Sequence, residues 1–105
     1  MKRIILLGAS GNIGTQAIDL IKDNSSFQLV GISVGYNIEK GLKLLDSFSG
    51  IKHFYSILSL DKDIKEKYSN VIFYHGENGL VDLIKQSEYE LMINALVGFV
   101  GLIFY

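Results

Sequence analysis

The sequence predicts an α/β domain built on a doubly wound parallel sheet. Three observations predict it. Short apolar runs ending in glycine or turn residues recur along the chain. Between each pair of runs lies a segment with apolar residues at helical spacing. A glycine-rich turn joins the first run to the first such segment. With 105 residues, the chain is expected to form one domain over residues 1–105.

The elements follow in order. Lys2 to Leu7 is a short apolar run closed by Gly8, hence a buried strand. Asn12 to Asp23 carries Ile13, Ala17, Leu20 and Ile21 at helical spacing and ends at Asn24-Ser25-Ser26. Phe27 to Val34 is the second strand. Ile38 to Phe48 places Ile38, Leu42, Leu45 and Phe48 on one face, so it is helical, with Gly41 a weak spot in propensity. A third strand is expected at His53 to Leu58, then a short charged helix at Asp61 to Tyr68. A fourth strand at Val71 to Tyr74 leads to a helix over Glu77 to Gln86, with Leu80, Leu83 and Ile84 inward. Glu90 to Leu96 is the fifth strand. Helices between every pair of strands require right-handed crossovers and parallel pairing.

The run from Leu91 to Tyr105 has no charged residue. It is shorter than the 20 or so apolar residues a membrane helix needs, so a buried strand followed by a broken helix is expected instead. An uncharged end of this kind would expose apolar surface. The chain therefore reads either as a domain cut short on its carboxyl-terminal side, or as an end that packs on the sheet or on a second subunit.

Composition narrows the function. Ten basic and eleven acidic residues give a net charge of −1, which supplies no cationic field for nucleic acid or anionic lipid. A hydrophobic content of 49% excludes disorder. Zero cysteines exclude disulfides, thiolate metal sites and thiol nucleophiles. No export signal stands before the first strand, so a cytoplasmic protein that engages no membrane is expected.

The turn Gly8-Ala9-Ser10-Gly11-Asn12-Ile13-Gly14 opens the first helix. Gly8 lets the chain leave the strand, Gly11 lets the backbone approach a ligand, and Gly14 lets helix and sheet pack closely. A helix amino terminus offers free N–H groups and partial positive charge, which suit a pyrophosphate. Ser10 and Asn12 add donors at the same mouth. The spacing is G-x-x-G-x-x-G, a weaker pattern than G-x-G-x-x-G, and no Walker lysine follows. In a βαβ unit at the start of the chain it points to a Rossmann-like dinucleotide site; the bland alternative is a tight turn with no ligand.

Strand two ends in Val34-Gly35-Tyr36-Asn37 without the acid that reads a ribose 2′-hydroxyl in NAD sites. Gly35 makes room for a ribose phosphate, Asn37 can donate to it while capping the next helix, and Tyr36 can stack on adenine. This favours NADP over NAD. The nearest cation is Lys40, one turn on. An ordinary turn and helix cap would explain Gly-Tyr-Asn equally well.

Together these segments resemble a known family. Leu6-Leu7-Gly8-Ala9-Ser10-Gly11-Asn12-Ile13-Gly14-Thr15-Gln16 resembles the L-G-S-T-G-S-I-G-T-Q signature of 1-deoxy-D-xylulose 5-phosphate reductoisomerases. The likeness continues through Asp19-Leu20-Ile21, Phe27-Gln28-Leu29-Val30-Gly31 and Gly35-Tyr36-Asn37, where Tyr36 replaces a usually basic residue. Gly76-Glu77-Asn78-Gly79-Leu80 is similar to a G-x-E-G-L loop, and Asn94 to Leu102 to N-A-[IL]-V-G-x-x-G-L.

The resemblance implies the amino-terminal NADPH-binding domain of an isoprenoid-pathway enzyme. That enzyme rearranges 1-deoxy-D-xylulose 5-phosphate to a branched aldehyde and reduces it to 2-C-methyl-D-erythritol 4-phosphate. It further implies a divalent metal, Mg or Mn, and a homodimer in the full-length family. Ser10, Gly11, Asn12 and Ile13 would lie on the cofactor phosphates and ribose, and Gly35, Tyr36 and Asn37 on the 2′-phosphate. The family's catalytic, metal and sugar-phosphate segments lie beyond the equivalent of position 105. No catalytic or metal residue is therefore assigned, and this chain alone is expected to bind cofactor and turn over nothing.

Other polar residues carry plainer readings. His53 and His75 are expected as polar strand ends, Glu77 as a turn or first-turn acid, and the run around Asp61, Asp63 and Glu66 as a solvated face. Two alternatives remain at this level. One is the cofactor domain of another NADP-dependent oxidoreductase, such as a semialdehyde dehydrogenase or dihydrodipicolinate reductase; the other is a non-catalytic nucleotide-binding remnant.

Overall fold

The computed structural model describes residues 1–96 and the backbone of 101–104. Its order is β1 (Lys2–Leu7), α1 (Asn12–Lys22), β2 (Phe27–Ser33), α2 (Ile38–Ser47), β3 (His53–Ser56), α3 (Lys62–Lys67), β4 (Ile72–His75), α4 (Gly79–Gln86), β5 (Leu91–Asn94) and β6 (Gly101–Phe104). The sheet runs β4-β3-β2-β1-β5-β6. The first five strands are parallel, as their helical crossovers require. The sixth departs from expectation: Gly101–Phe104 is a strand antiparallel to β5, where a broken helix was expected. Residues 97–100 and 105 of that tail lie outside the described residues.

The strand order explains the double winding. Chain progression from β1 through β4 moves one way along the sheet, and right-handed crossovers put α1 and α2 on one face. Ala17, Ile18 and Ile21 of α1 and Leu45 of α2 bury there with Ile4, Leu6, Leu29, Ile32 and Phe54. After β4 the chain reverses across the sheet to reach β5 beside β1, so α4 covers the opposite face. Its Leu83 buries with Ile5, Leu7, Val30 and Met92, and Leu80 and Ile84 pack alongside. Strand residues therefore alternate between two cores, Ile4 and Leu6 to one and Ile5 and Leu7 to the other, and all four are buried.

One expected face is corrected. Leu20 is 74% exposed, and Ile18 is buried in its place. Gly14, Ala17, Ile18 and Ile21 form the stripe that meets the sheet, and Leu20 sits roughly 110° from its centre at 3.6 residues per turn. Gly41, a weak spot by propensity, has a packing reason: a Cβ there would come within 2.7 Å of Phe54 Cζ.

Candidate functional site

β1 is the strand from which the connections diverge, one leaving toward β2 and the incoming one arriving at its neighbour β5. Such a switch point opens a crevice at the carboxyl ends of the strands, the usual ligand position in open α/β sheets. The turns after β1 and β2 stand at this end, with the Ala95 and Leu96 backbone beside Gly8.

The loop after β1 is held from both sides. The Gly8 N–H donates to Ser33 Oγ at 2.9 Å, and the Ala9 N–H to the Ser33 carbonyl at 2.8 Å. On the other flank the Ala95 N–H donates to the Leu7 carbonyl at 2.8 Å. Gly8 turns the chain at φ +81°, against the Ala95 backbone at 3.0 Å from a hypothetical Cβ. At Gly14 a Cβ would lie 2.1 Å from the Gly8 carbonyl oxygen, so only glycine allows α1 to seat on this turn.

Gly11 and Gly35 differ from that pair. The nearest atom to a Cβ on Gly11 is the Gly8 carbonyl oxygen at 3.8 Å; on Gly35 it is Ile57 Cδ1 at 3.7 Å. The fold tolerates a Cβ at both, so packing among the described residues does not require glycine at either position. Gly11 is also the N-cap of α1, with no side-chain cap and no acid in the first turn. The Asn12, Ile13 and Gly14 amides thus begin the helix without intrahelical acceptors, at its positive end. Asn12 is exposed and Ser10 and Ile13 half-buried beside them.

At the end of β2, Tyr36 is 73% exposed. Asn37 caps α2, its Oδ1 accepting from the Lys40 N–H at 3.2 Å. That leaves the Asn37 NH₂ with its donors for another partner.

Sequence reasoning passed over Ser33 and named Lys40 only as the nearest cation, without its contacts to the glycine loop. Ser33, 2% exposed, clamps the glycine loop to β2 through both its hydroxyl and its carbonyl. Lys40 reaches back from α2: its Nζ donates to the Ser10 carbonyl at 3.1 Å and to Thr15 Oγ1 at 2.6 Å. The Thr15 hydroxyl in turn donates to the Gly11 carbonyl at 2.8 Å. A serine ending a strand and a lysine in a helix's first turn carry no signal of their own; only the β1–β2 pairing brings them to the loop.

The histidines behave as strand-end residues. His53 Nδ1 and the Tyr74 hydroxyl are 2.9 Å apart, and burial holds the imidazole below its ordinary pKa. His75 ends β4, exposed. No group of three metal-ligating side chains gathers among the described residues. No helix there is long and apolar enough to cross a membrane.

The sequence matches a family model described as 1-deoxy-D-xylulose 5-phosphate reductoisomerase over residues 4–104. It is 36% identical over 108 residues to the enzyme of that name from Listeria welshimeri, covering 98% of this chain and 27% of the relative. A Bacillus cereus reductoisomerase is 36% identical over 109 residues, with the same coverage. The chain thus spans 27% of the length of these curated relatives.

Among solved structures, the Zymomonas mobilis reductoisomerase in complex with NADPH superposes with a TM-score of 0.67 at 28% identity. It covers 81% of this chain and 23% of its own. A DOX-P reductoisomerase in complex with NADPH, fosmidomycin and magnesium gives a TM-score of 0.76 at 16% identity, over 88% of this chain and 24% of its own, a likeness of fold. With the family model covering the sheet, the glycine turn and both flanking loops in a single span, the chain belongs to the 1-deoxy-D-xylulose 5-phosphate reductoisomerase family.

Proposed function

We propose that residues 1–105 form the NADPH-binding part of a reductoisomerase that converts 1-deoxy-D-xylulose 5-phosphate into 2-C-methyl-D-erythritol 4-phosphate. The observation that carries the reading is the uncapped amino terminus of α1 at Gly11, where an added Cβ would meet only the Gly8 carbonyl oxygen at 3.8 Å. A diphosphate linker fits it by charge and by hydrogen-bonding type, because amides and a helix dipole face it without a competing carboxylate.

In this reading Gly8 and Gly14 shape the cradle, and Gly11 allows close approach of the phosphates. Ser10, Asn12 and Ile13 contact the phosphates and the adjoining ribose. Gly35, Tyr36 and Asn37 take the adenosine end, with Tyr36 exposed for stacking and the Asn37 amide donating. The bound cofactor supplies the hydride that reduces the aldehyde. This chain's share is to bind and orient it.

The described residues do not gather a metal-ligating group, so no step through a metal is assigned to them. The reading takes the catalytic groups and the sugar-phosphate site to lie in a longer protein, working as a cytoplasmic homodimer. Two features support it: the 28% identical neighbour was solved with NADPH, and the relatives extend well past this span.

Titration of the purified chain with NADPH and with NADH, followed by cofactor fluorescence, tests the reading. Saturable binding with NADPH the tighter ligand is expected, and no turnover of the sugar phosphate by this chain alone. Equal, weak binding of both nucleotides would overturn the part given to Gly35, Tyr36 and Asn37; no binding of either would overturn the whole.

A further inference from the structure

We propose that Lys40 is the cation that recognises the 2′-phosphate of the cofactor, and so the residue that sets NADPH over NADH in this chain. The inference rests on the cofactor reading above and adds to it a residue that neither the glycine motif nor Gly35-Tyr36-Asn37 contains.

The end of β2 carries tyrosine at its tip, and Tyr36 supplies no positive charge to a phosphate. Lys40 is half-buried, and among the described residues its ammonium has no carboxylate within ion-pair distance. Glu39, its neighbour, lies 3.9 Å from Lys43 instead. The two acceptors Lys40 does have, the Ser10 carbonyl and Thr15 Oγ1, are neutral. An ammonium has three donors, so one remains for a ligand. A partly desolvated cation without a counter-ion is held ready for an anion.

Position decides which anion. Lys40 comes from α2 and leans onto the glycine turn from the β2 side, away from β5. The diphosphate lies at the α1 amino terminus, whereas the adenosine ribose lies toward the end of β2, where 2′-phosphates are accommodated. Asn37 is drawn to the same place, since its side chain caps the Lys40 amide. Val34 to Asn37 contribute no acid that would repel the phosphate. Lys40 thereby stands between the glycine turn and the end of β2, the one side of the mouth from which α2 presents a cation.

The test compares the 105-residue chain with K40M and K40R, each titrated with NADPH and NADH. Circular dichroism and thermal melts confirm that each variant is folded. K40M is expected to lose about ten- to a hundredfold more affinity for NADPH than for NADH, the range of one hydrogen bond between charged groups. K40R, which keeps the charge, should retain most of the NADPH preference. Adenosine 2′,5′-bisphosphate and adenosine 5′-monophosphate should repeat the pattern.

If K40M weakens both cofactors equally, or leaves the preference of the wild-type chain intact, the inference is overturned while the cofactor reading stands. If the wild-type chain binds neither nucleotide, both fail together.

Discussion

Replacing Gly14 by alanine puts one methyl group where the structure has no room. Its Cβ would sit 2.1 Å from the Gly8 carbonyl oxygen and 2.8 Å from Ala9 Cα, both backbone atoms that cannot rotate away. Ordinary contact begins near 3.4 Å, so helix and turn must part by about 1.3 Å. Inserting a methyl into a packed site costs about 1–3 kcal/mol, and an immovable backbone neighbour places this case at the upper end. Alanine's better helix propensity returns about 1 kcal/mol. The net loss is about 2 kcal/mol, or about 8–16 °C in melting temperature for a domain of this size. The same displacement moves the first-turn amides, so NADPH binding should weaken as well. Thermal and urea unfolding followed by circular dichroism, with a parallel NADPH titration, reads both effects. A G14A chain as stable as the parent, with unchanged affinity, would refute the argument that this glycine seats the helix on its turn.

Gly11→Ala is the counterpart. The nearest atom to its Cβ is 3.8 Å away, so melting should change little while NADPH affinity drops, and unchanged affinity would count against ligand approach at this point. Ser33→Ala leaves the Gly8 N–H without its hydroxyl acceptor, and a loss of about 1–2 kcal/mol in urea unfolding is expected; no change would mean the clamp is held by the Ser33 carbonyl alone. Glu90 is the pH probe. Hydrogen bonds from the Arg3 side chain and backbone, with the Arg3 charge, hold its carboxyl below the ordinary value of 4.5. The unfolded chain takes up that proton first, so the contribution is present above 4.5 and is lost as pH falls through the lower, folded value. E90Q should therefore flatten the acid limb of stability against pH below 4.5, and parallel curves for parent and variant would remove Glu90 from the account.

What the sequence discloses and what it hides follow from the range of each interaction. β1, β2 and the four helices are written in local periodicity, and the cradle is written in Gly8 and Gly14, whose spacing states a backbone requirement. Leu20 marks a misreading of that signal and not its limit: Gly14, Ala17, Ile18 and Ile21 fall at i, i+3, i+4 and i+7, a stripe that takes in Ile18 and leaves Leu20 out. Gly101–Phe104 has no polar residue to mark alternation, and its antiparallel pairing with β5 is settled by partners, not by pattern. Ser33 and Lys40 reach the glycine loop across 25 and 30 residues of chain, and such contacts exist only once the strand order is known.

The central place of β1 also governs how the domain can be assembled during synthesis. Its outer partner on one side, β2, leaves the ribosome soon after it, and the pairing of Lys2 with Phe27 can form early. Its partner on the other side is Leu91–Asn94, nearly ninety residues downstream by the pairing of Ile4 with Leu91. Until that strand emerges, β1, with Ile4 to Leu7 all destined for the core, has one bare edge, open to pairing with any other extended segment. A chaperone that shields this edge, or a pause in translation just before residue 91, would therefore change the yield of folded protein far more than either would later in elongation.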